Sequence, residues 1–211
     1  MKRVGLLGGS FNPAHRGHLR ASLAMMRALG LDEIWWLVSP GNVLKPAAGM
    51  APLAARLLSA RRIARGAPIK VSVIERELGT VYTVDSVQRI VRRWPGTHFC
   101  WLMGADNLAQ FHRWRRWRLI ARTLPIAVIT RPGYDRRARM ARAMSWLRRF
   151  VRPARQARNW TRWSLPGLVL LRMPPDRTSA TALRAADPGW HESFNAKSAP
   201  RDHVTRAPFQ P

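Results

Sequence analysis

The chain has 211 residues, 46% of them hydrophobic, enough to bury the core of one soluble domain. No apolar run approaches the ~20 residues that cross a bilayer. The start, Met1-Lys2-Arg3-Val4, lacks the apolar stretch and cleavage site of a secretory signal, so no membrane partner is expected and the cytoplasm is the expected compartment. The single cysteine, Cys100, excludes an internal disulfide framework and a cysteine-based metal cluster.

The formal net charge is +26, from 37 basic and 11 acidic residues. Such a charge suits a polyanionic partner, either nucleic acid or a phosphorylated substrate. Only Lys2, Lys45, Lys70 and Lys197 are lysines, and the remaining 33 basic residues are arginine. Such a skew is what a GC-rich coding sequence would produce without any selected binding role. No nucleic-acid-binding motif accompanies it, so no specific nucleic-acid partner is expected.

The first apolar run, Val4-Gly5-Leu6-Leu7, reads as a strand and leads into Gly8-Gly9-Ser10-Phe11-Asn12-Pro13-Ala14-His15-Arg16-Gly17-His18. A helix then starts near Arg16, with Leu19, Leu23, Met26 and Leu29 at three- and four-residue spacing and Gly30 placed to end it. Glu33 to Val38 reads as a buried strand, completing a strand–helix–strand unit. Ser39 to Pro52 is a Gly-, Pro- and Ala-rich loop containing Asn42 and Lys45, followed by a helix from about Leu53 to Arg65 and a strand near Ile69 to Ile74.

Glu75 to Thr80 is polar and turn-like, and Thr83 is an N-cap candidate for a helix with Val84, Val87, Ile90 and Val91 on its apolar face. His98 to Met103 reads as a fourth strand running into Gly104-Ala105-Asp106-Asn107, and Pro125 to Ile129 as a fifth. Arg136 to Arg162 reads as a basic solvated helix with Met140, Met144, Leu147 and Val151 at helical spacing. Leu168 to Leu171 is a short last strand, and Thr178-Ser179-Ala180-Thr181 opens a helix that includes Arg184. The pattern predicts an α/β fold: a Rossmann-like, doubly wound parallel sheet with helices on both faces, occupying residues 1–185. From Ala186 to Pro211 the periodicity disappears, and a poorly ordered tail is expected.

The glycines of the opening turn let backbone N–H groups approach a ligand closely, and the helix start adds partial positive charge, so the turn suits phosphate. His15 and His18, three residues apart, share one face of the first helical turn. They can donate to phosphate oxygens as charge grows there during reaction. A metal role has weak support because no third ligand lies nearby in sequence. Thr178 to Thr181 with Arg184 forms a second anion site by the same physics, with plain helix capping as the alternative. Neither turn is a Walker sequence or a dinucleotide fingerprint.

Gly9 to His18 resembles the signature of the HxGH nucleotidyltransferases, here His15-Arg16-Gly17-His18, and the chain looks most like their bacterial nicotinate-nucleotide adenylyltransferase branch. The Asn42/Lys45 loop, Tyr82-Thr83-Val84-Asp85, Gly104-Ala105-Asp106, Trp114-Arg115-Arg116-Trp117 and Thr178 to Arg184 agree with that branch in order. The resemblance implies that the phosphate of nicotinate mononucleotide attacks the α-phosphorus of ATP, giving nicotinate adenine dinucleotide and pyrophosphate.

It implies catalytic roles for His15, His18, Ser179 and Arg184. ATP contacts would come from these four and from Gly8, Gly9, Ser10, Phe11, Gly104, Asp106 and Thr178. The mononucleotide would meet Ser10, Asn42, Lys45, Thr83, Trp114 and Arg115, with Trp114 stacking on its base and the arginines favouring nicotinate over nicotinamide. Mg2+ would arrive on the ATP phosphates, with no metal site built by the protein. Homo-oligomer formation is left open. Phosphopantetheine adenylyltransferases resemble the opening motif but usually carry threonine in place of the first histidine, so His15 and the Tyr82 to Asp85 segment argue against that rival; other HxGH nucleotidyltransferases, cytidylyltransferases among them, are weaker rivals for similar reasons. A basic nucleic-acid-binding protein on a degenerate fold is the rival from another class, and the intact motif residues argue against it.

Overall fold

Among the described residues seven strands build one sheet: β1 (Lys2–Gly9), β2 (Glu33–Val38), β3 (Ile69–Ser72), β4 (Thr97–Gly104), β5 (Ile126–Thr130), β6 (Val151–Arg152) and β7 (Leu168–Arg172). The computed structural model describes residues 1–41, 49–130, 139–174, 178–194 and 201–209. The strands lie in the order β3-β2-β1-β4-β5-β7-β6, and all their pairings are parallel. Every residue of β2 is buried, as expected of a parallel strand covered on both faces.

Side chains alternate along the strands and so feed two cores. Val4, Leu6, Trp35, Leu37, Phe99 and Trp101 pack on one face against α4 (Thr83–Arg93), α5 (Ala105–Gln110), α6 (Trp117–Thr123) and α7 (Met144–Leu147). Leu7, Ile34, Trp36, Cys100 and Leu102 pack on the other against α1 (Arg16–Leu29) and α2 (Leu53–Ala64). This is the doubly wound architecture expected from the sequence.

The chain steps from β1 to β2 to β3 in one direction, then returns to lay β4 on the far side of β1. Such a reversal opens a crevice at the carboxyl ends of the two central strands. Here those ends are Gly8-Gly9 and Gly104.

The elements depart from expectation where burial overrides pattern. α1 fully buries Ser22, Met25 and Leu29, a face rotated from the one predicted, because the Ser22 hydroxyl accepts the Trp36 indole N–H at 2.8 Å. Gly30 does end the helix, in the left-handed region at φ 61° with its N–H on the Met26 carbonyl. A short helix, α3 (Ile74–Glu77), occupies the stretch expected as a turn, and Glu75 on it is buried. Tyr82, not Thr83, caps α4.

The described part of the arginine-rich region is not one helix. It forms α7, a 3₁₀ turn (Arg148–Phe150), β6 and, after Pro153, a 3₁₀ segment (Ala154–Arg162). Trp160 of that segment is buried, with its indole N–H on the Leu29 carbonyl at 3.0 Å.

Parts of the segment expected as a poorly ordered tail pack against the domain. Helix α8 (Ala180–Ala186) is followed by a 3₁₀ turn (Trp190–Phe194) in contact with α2, and Trp190 and Phe209 are buried. Asp202, 3% exposed, accepts from the Ser72 hydroxyl at 3.0 Å and from the N–H groups of Val73, Val204 and Thr205 at 2.8, 2.8 and 3.0 Å. One buried carboxylate thus joins the tail to the end of β3, which a hydropathy pattern does not register. Asp202→Ala leaves these donors unpaired and is expected to lower unfolding stability by on the order of 3 kcal/mol in a urea titration; a loss below about 0.5 kcal/mol would mean that the segment is not docked as described.

Candidate active site

The crevice between β1 and β4 widens into a cleft of about 780 Å³, within the range of ligand sites. Four helix starts meet there: His15 and Gly17 at α1, Thr83 at α4, Ala105 and Asp106 at α5, and Ser179 and Ala180 at α8 all line it. Each brings backbone N–H groups that lack an acceptor within the helix, and partial positive charge, so the cleft is polarised for a multiply charged anion.

Of the residues singled out in the sequence, Gly8, Gly9, Ser10, Phe11, His15, His18, Thr83, Gly104, Asp106, Trp114, Arg115, Thr178 and Ser179 line this one cleft. Asn42 and Lys45 lie outside the described residues. Arg184 is not on the lining. Its guanidinium instead donates to the Asn12 carbonyl at 2.6 Å and to the Thr181 hydroxyl at 3.4 Å, fastening α8 to the opening turn. The Ser179 hydroxyl caps α8 by accepting the Ala182 N–H at 3.1 Å.

The opening turn is held from several sides. A side chain at Gly8 would bring its Cβ to 2.9 Å from the Trp101 ring, so that backbone lies directly on the indole. Phe11 adopts φ 47°, a left-handed conformation costing roughly 1–2 kcal/mol for a residue with a side chain. Its ring offsets that by stacking on Trp36 at 4.9 Å and lying 5.0 Å from His18. The Asn12 amide donates to the Gly49 carbonyl at 2.8 Å and accepts the Ala51 N–H at 3.2 Å.

Beneath the turn, Arg56 is 1% exposed and donates to four backbone carbonyls, those of Ser10, Ser39, Pro40 and Ala51. Burial lowers its pKa to about 10, still charged at neutral pH. Sequence reasoning passed over Arg56, although it falls on the same helical face as Ala60 and Ala64.

The two imidazoles are arranged for donation. The backbone N–H of His15 donates to His18 Nδ1 at 3.2 Å. A nitrogen that accepts carries no proton in the neutral ring, so the His18 proton sits on Nε2. The rings lie 3.9 Å apart between centroids, His15 buried and His18 half-buried, and both border the cleft.

Toward α4 the lining becomes aromatic. Half-buried Trp114 stands edge-on to Trp101 at 6.1 Å and to Phe111 at 5.3 Å, and the Arg115 guanidinium lies 4.6 Å over the Tyr82 ring. Trp101 is 2% exposed, and its indole N–H has no acceptor among the described residues. Glu75 also lines this end and accepts the Ser86 hydroxyl at 2.9 Å. Neither Trp101 nor Glu75 stood out in the sequence, where one looks like core and the other like a surface turn.

The cytidylyltransferase-like family matches residues 6–186. A probable nicotinate-nucleotide adenylyltransferase of Erythrobacter litoralis is 58% identical over 194 residues, covering 92% of this chain and 89% of that protein. Its counterpart in Parvibaculum lavamentivorans is 50% identical over 188 residues, covering 89% and 93%. Among solved structures, the Plasmodium falciparum nicotinic acid mononucleotide adenylyltransferase complexed with NaAD superposes with a TM-score of 0.67 at 16% identity, covering 88% of this chain and 83% of that one. At that identity the likeness concerns the fold.

Glu75 supplies a stability test that is independent of these likenesses. Burial pushes its carboxyl from 4.5 up to about 7, opposed by the Ser86 hydrogen bond. The folded protein therefore keeps a proton that the unfolded chain has already released. The associated stability is complete below about 4.5, falls as pH rises toward 7, and levels off above it. Glu75→Gln removes this dependence, so its stability relative to wild type should rise by on the order of 3 kcal/mol between pH 4 and pH 8 in urea unfolding. A constant difference across that range would contradict the burial of an uncharged carboxyl.

Proposed function

We propose an activity for a chain that belongs to the cytidylyltransferase-like family and, within it, to the nicotinate-nucleotide adenylyltransferases: transfer of the adenylyl group of ATP to nicotinate mononucleotide, releasing pyrophosphate. The product, nicotinate adenine dinucleotide, makes this a step of NAD biosynthesis. The observation that carries the reading is the convergence of four helix starts and two imidazoles on one cleft.

In this reading an oxygen of the mononucleotide phosphate attacks the α-phosphorus of ATP, and the bond from that phosphorus to the bridging oxygen breaks. Pyrophosphate departs with the electron pair. The attacking phosphate is already ionised, so no general base is needed, and the protein's contribution is orientation and charge stabilisation. The Nε2–H of His18 donates to the α-phosphate as negative charge builds on its oxygens, and His15 lies beside it on the triphosphate.

Gly8, Gly9, Ser10 and Phe11 carry the phosphate-binding turn. Gly104 and Asp106 at the start of α5 take the adenosine side. Thr178 and Ser179 at the start of α8 receive the distal phosphates. Arg184 acts as a positioning residue through Asn12 and, when that bond is exchanged, as a phosphate contact.

The acceptor occupies the aromatic end. Its ring lies against Trp114, and its carboxylate meets the first N–H groups of α4 near Thr83. Arg115 and Arg113 supply a positive surround that favours nicotinate over neutral nicotinamide. Asn42 and Lys45 belong to this reading as contacts for the mononucleotide phosphate.

Mg2+ carried by ATP would supply neutralisation of the phosphate charge. A cytoplasmic setting accompanies the proposal; among the described residues no helix is long and apolar enough to cross a membrane.

Pyrophosphate release from ATP should require both nicotinate mononucleotide and Mg2+, and should be much slower with nicotinamide mononucleotide or phosphopantetheine. Turnover with phosphopantetheine but not with nicotinate mononucleotide would overturn the assignment. His18→Ala should lower kcat by at least ~100-fold with the circular-dichroism spectrum unchanged, as expected for loss of a donor to transition-state charge. Activity within threefold of wild type would move the reacting phosphate elsewhere in the cleft.

A further inference from the structure

The cleft contains one buried acid that the reaction above does not use. Glu75 sits on α3 beneath the first turn of α4 and is bound into it by a closed set of hydrogen bonds. Its carboxyl accepts the Ser86 hydroxyl at 2.9 Å, and that hydroxyl also meets the Thr80 hydroxyl at 2.9 Å and the Tyr82 carbonyl at 3.3 Å. The Glu75 carbonyl accepts the Thr80 N–H at 2.8 Å and the Thr80 hydroxyl at 3.2 Å. The Tyr82 carbonyl takes the N–H groups of Asp85 and Ser86 at 3.0 and 3.2 Å. Helix geometry leaves the Thr83 N–H without an intrahelical acceptor, at the point where Tyr82, Thr83 and Glu75 all line the cleft.

We infer that Glu75 is a positioning and specificity residue for the acceptor: it shapes the Tyr82–Thr83 turn that receives the nicotinate carboxylate, and its own charge state decides how strongly that turn attracts an anion. The inference rests on the proposed reaction. While Glu75 is neutral, the partial positive charge at the start of α4 is offset only by Asp85 of its own first turn. Once Glu75 ionises, a negative charge lies under the same turn, satisfies the helix end from within and repels a second carboxylate. Burial places this change near neutral pH rather than in the ordinary carboxylate range.

The charged neighbours do not reproduce the effect. On α3, Arg76 lies over the Phe209 ring and Glu77 pairs with Arg93 of α4. Also on α4, Asp85 lies in the first turn and Arg89 binds the Leu78 carbonyl. On β2, Glu33 sits at the far end of the strand with Lys2 and Lys70. From the tail, Asp202 and His203 face β3, and across the cleft Arg115 lies on Tyr82 while His15 and His18 border the opening turn. Histidines are among these neighbours, and burial lowers the pKa of His203 below its ordinary value. The Glu75 variants separate its contribution from theirs.

The test is the pH dependence of KM for each substrate between pH 6 and pH 8.5. For the wild-type chain, KM for nicotinate mononucleotide should rise with pH on the order of tenfold more than in Glu75→Gln, the size of a screened repulsion between carboxylates several ångströms apart. KM for ATP should show no such difference between the two. The acceptor's own phosphate titrates equally in both, so it cancels in the comparison. Nicotinamide mononucleotide, whose ring carries no carboxylate, should show no difference.

Ser86→Ala withdraws the hydrogen bond that favours the ionised carboxyl and should move the wild-type inflection to higher pH, a shift that a purely structural role for Glu75 would not produce. The inference is overturned if wild type and Glu75→Gln share one profile for nicotinate mononucleotide, or if Ser86→Ala leaves the inflection in place. Absence of adenylyl transfer to nicotinate mononucleotide at every pH would instead overturn the proposed reaction itself.

Discussion

A guanidinium sealed from water is the constraint on which the cleft depends. Arg56 reaches from α2 beneath the sheet's central crevice and donates to carbonyls of the opening turn, of the chain leaving β2 and of the approach to α2 itself. Removing an arginine from water is expensive, and the arrangement holds because backbone oxygens with no ladder partner need the same donors. Lysine has the charge but not the planar fork that spans separate carbonyls. With Arg56 in place, Ser10 cannot drift, Phe11 keeps its left-handed backbone, and the ring of His18 has a fixed wall to lie on.

The charge on the molecule as a whole explains less than its arrangement. A net charge of +26 attracts any polyanion at low salt and selects none. In the proposed reaction selection comes from short-range features: four helix starts that line one cleft, an imidazole whose Nδ1 accepts a backbone N–H, and an arginine laid over a tyrosine ring. These act within hydrogen-bond distance and in partial exclusion of water, where a dipole or an N–H counts for much more than a surface charge. The same logic makes a neutral Glu75 useful, since withholding one negative charge there strengthens the field at the start of α4.

Much of this was legible in the sequence, for physical reasons that also mark where legibility ends. The strand–turn–helix opening, the two histidines, Gly104-Ala105-Asp106 and Thr178 to Thr181 are contiguous signals in which spacing alone places the groups. They predicted a doubly wound parallel sheet and assembled most of the cleft lining. What stayed hidden depends on contacts between distant segments. Arg56 looks like one more arginine on a basic helix until its carbonyl partners, up to 46 positions away, come together. Glu75 reads as a surface turn residue because its burial is decided by Thr80 and Ser86 folding over it. The tail lacks periodicity because one carboxylate, Asp202, anchors it to β3 rather than a stripe of apolar residues. The arginine-rich region has helical spacing at Met144 and Leu147, but Pro153 and the demand for an edge strand at Val151–Arg152 divide it.

In the proposed reaction transfer is direct: the mononucleotide phosphate strikes the α-phosphorus of ATP with no intermediate on the protein. Stereochemistry at that phosphorus reads this most directly. With ATP made chiral at the α-phosphorus by isotopic oxygen or sulfur substitution and nicotinate mononucleotide as acceptor, a single in-line displacement predicts inversion in the dinucleotide product. Retention of configuration, which requires two successive displacements and hence an adenylylated side chain, would contradict it.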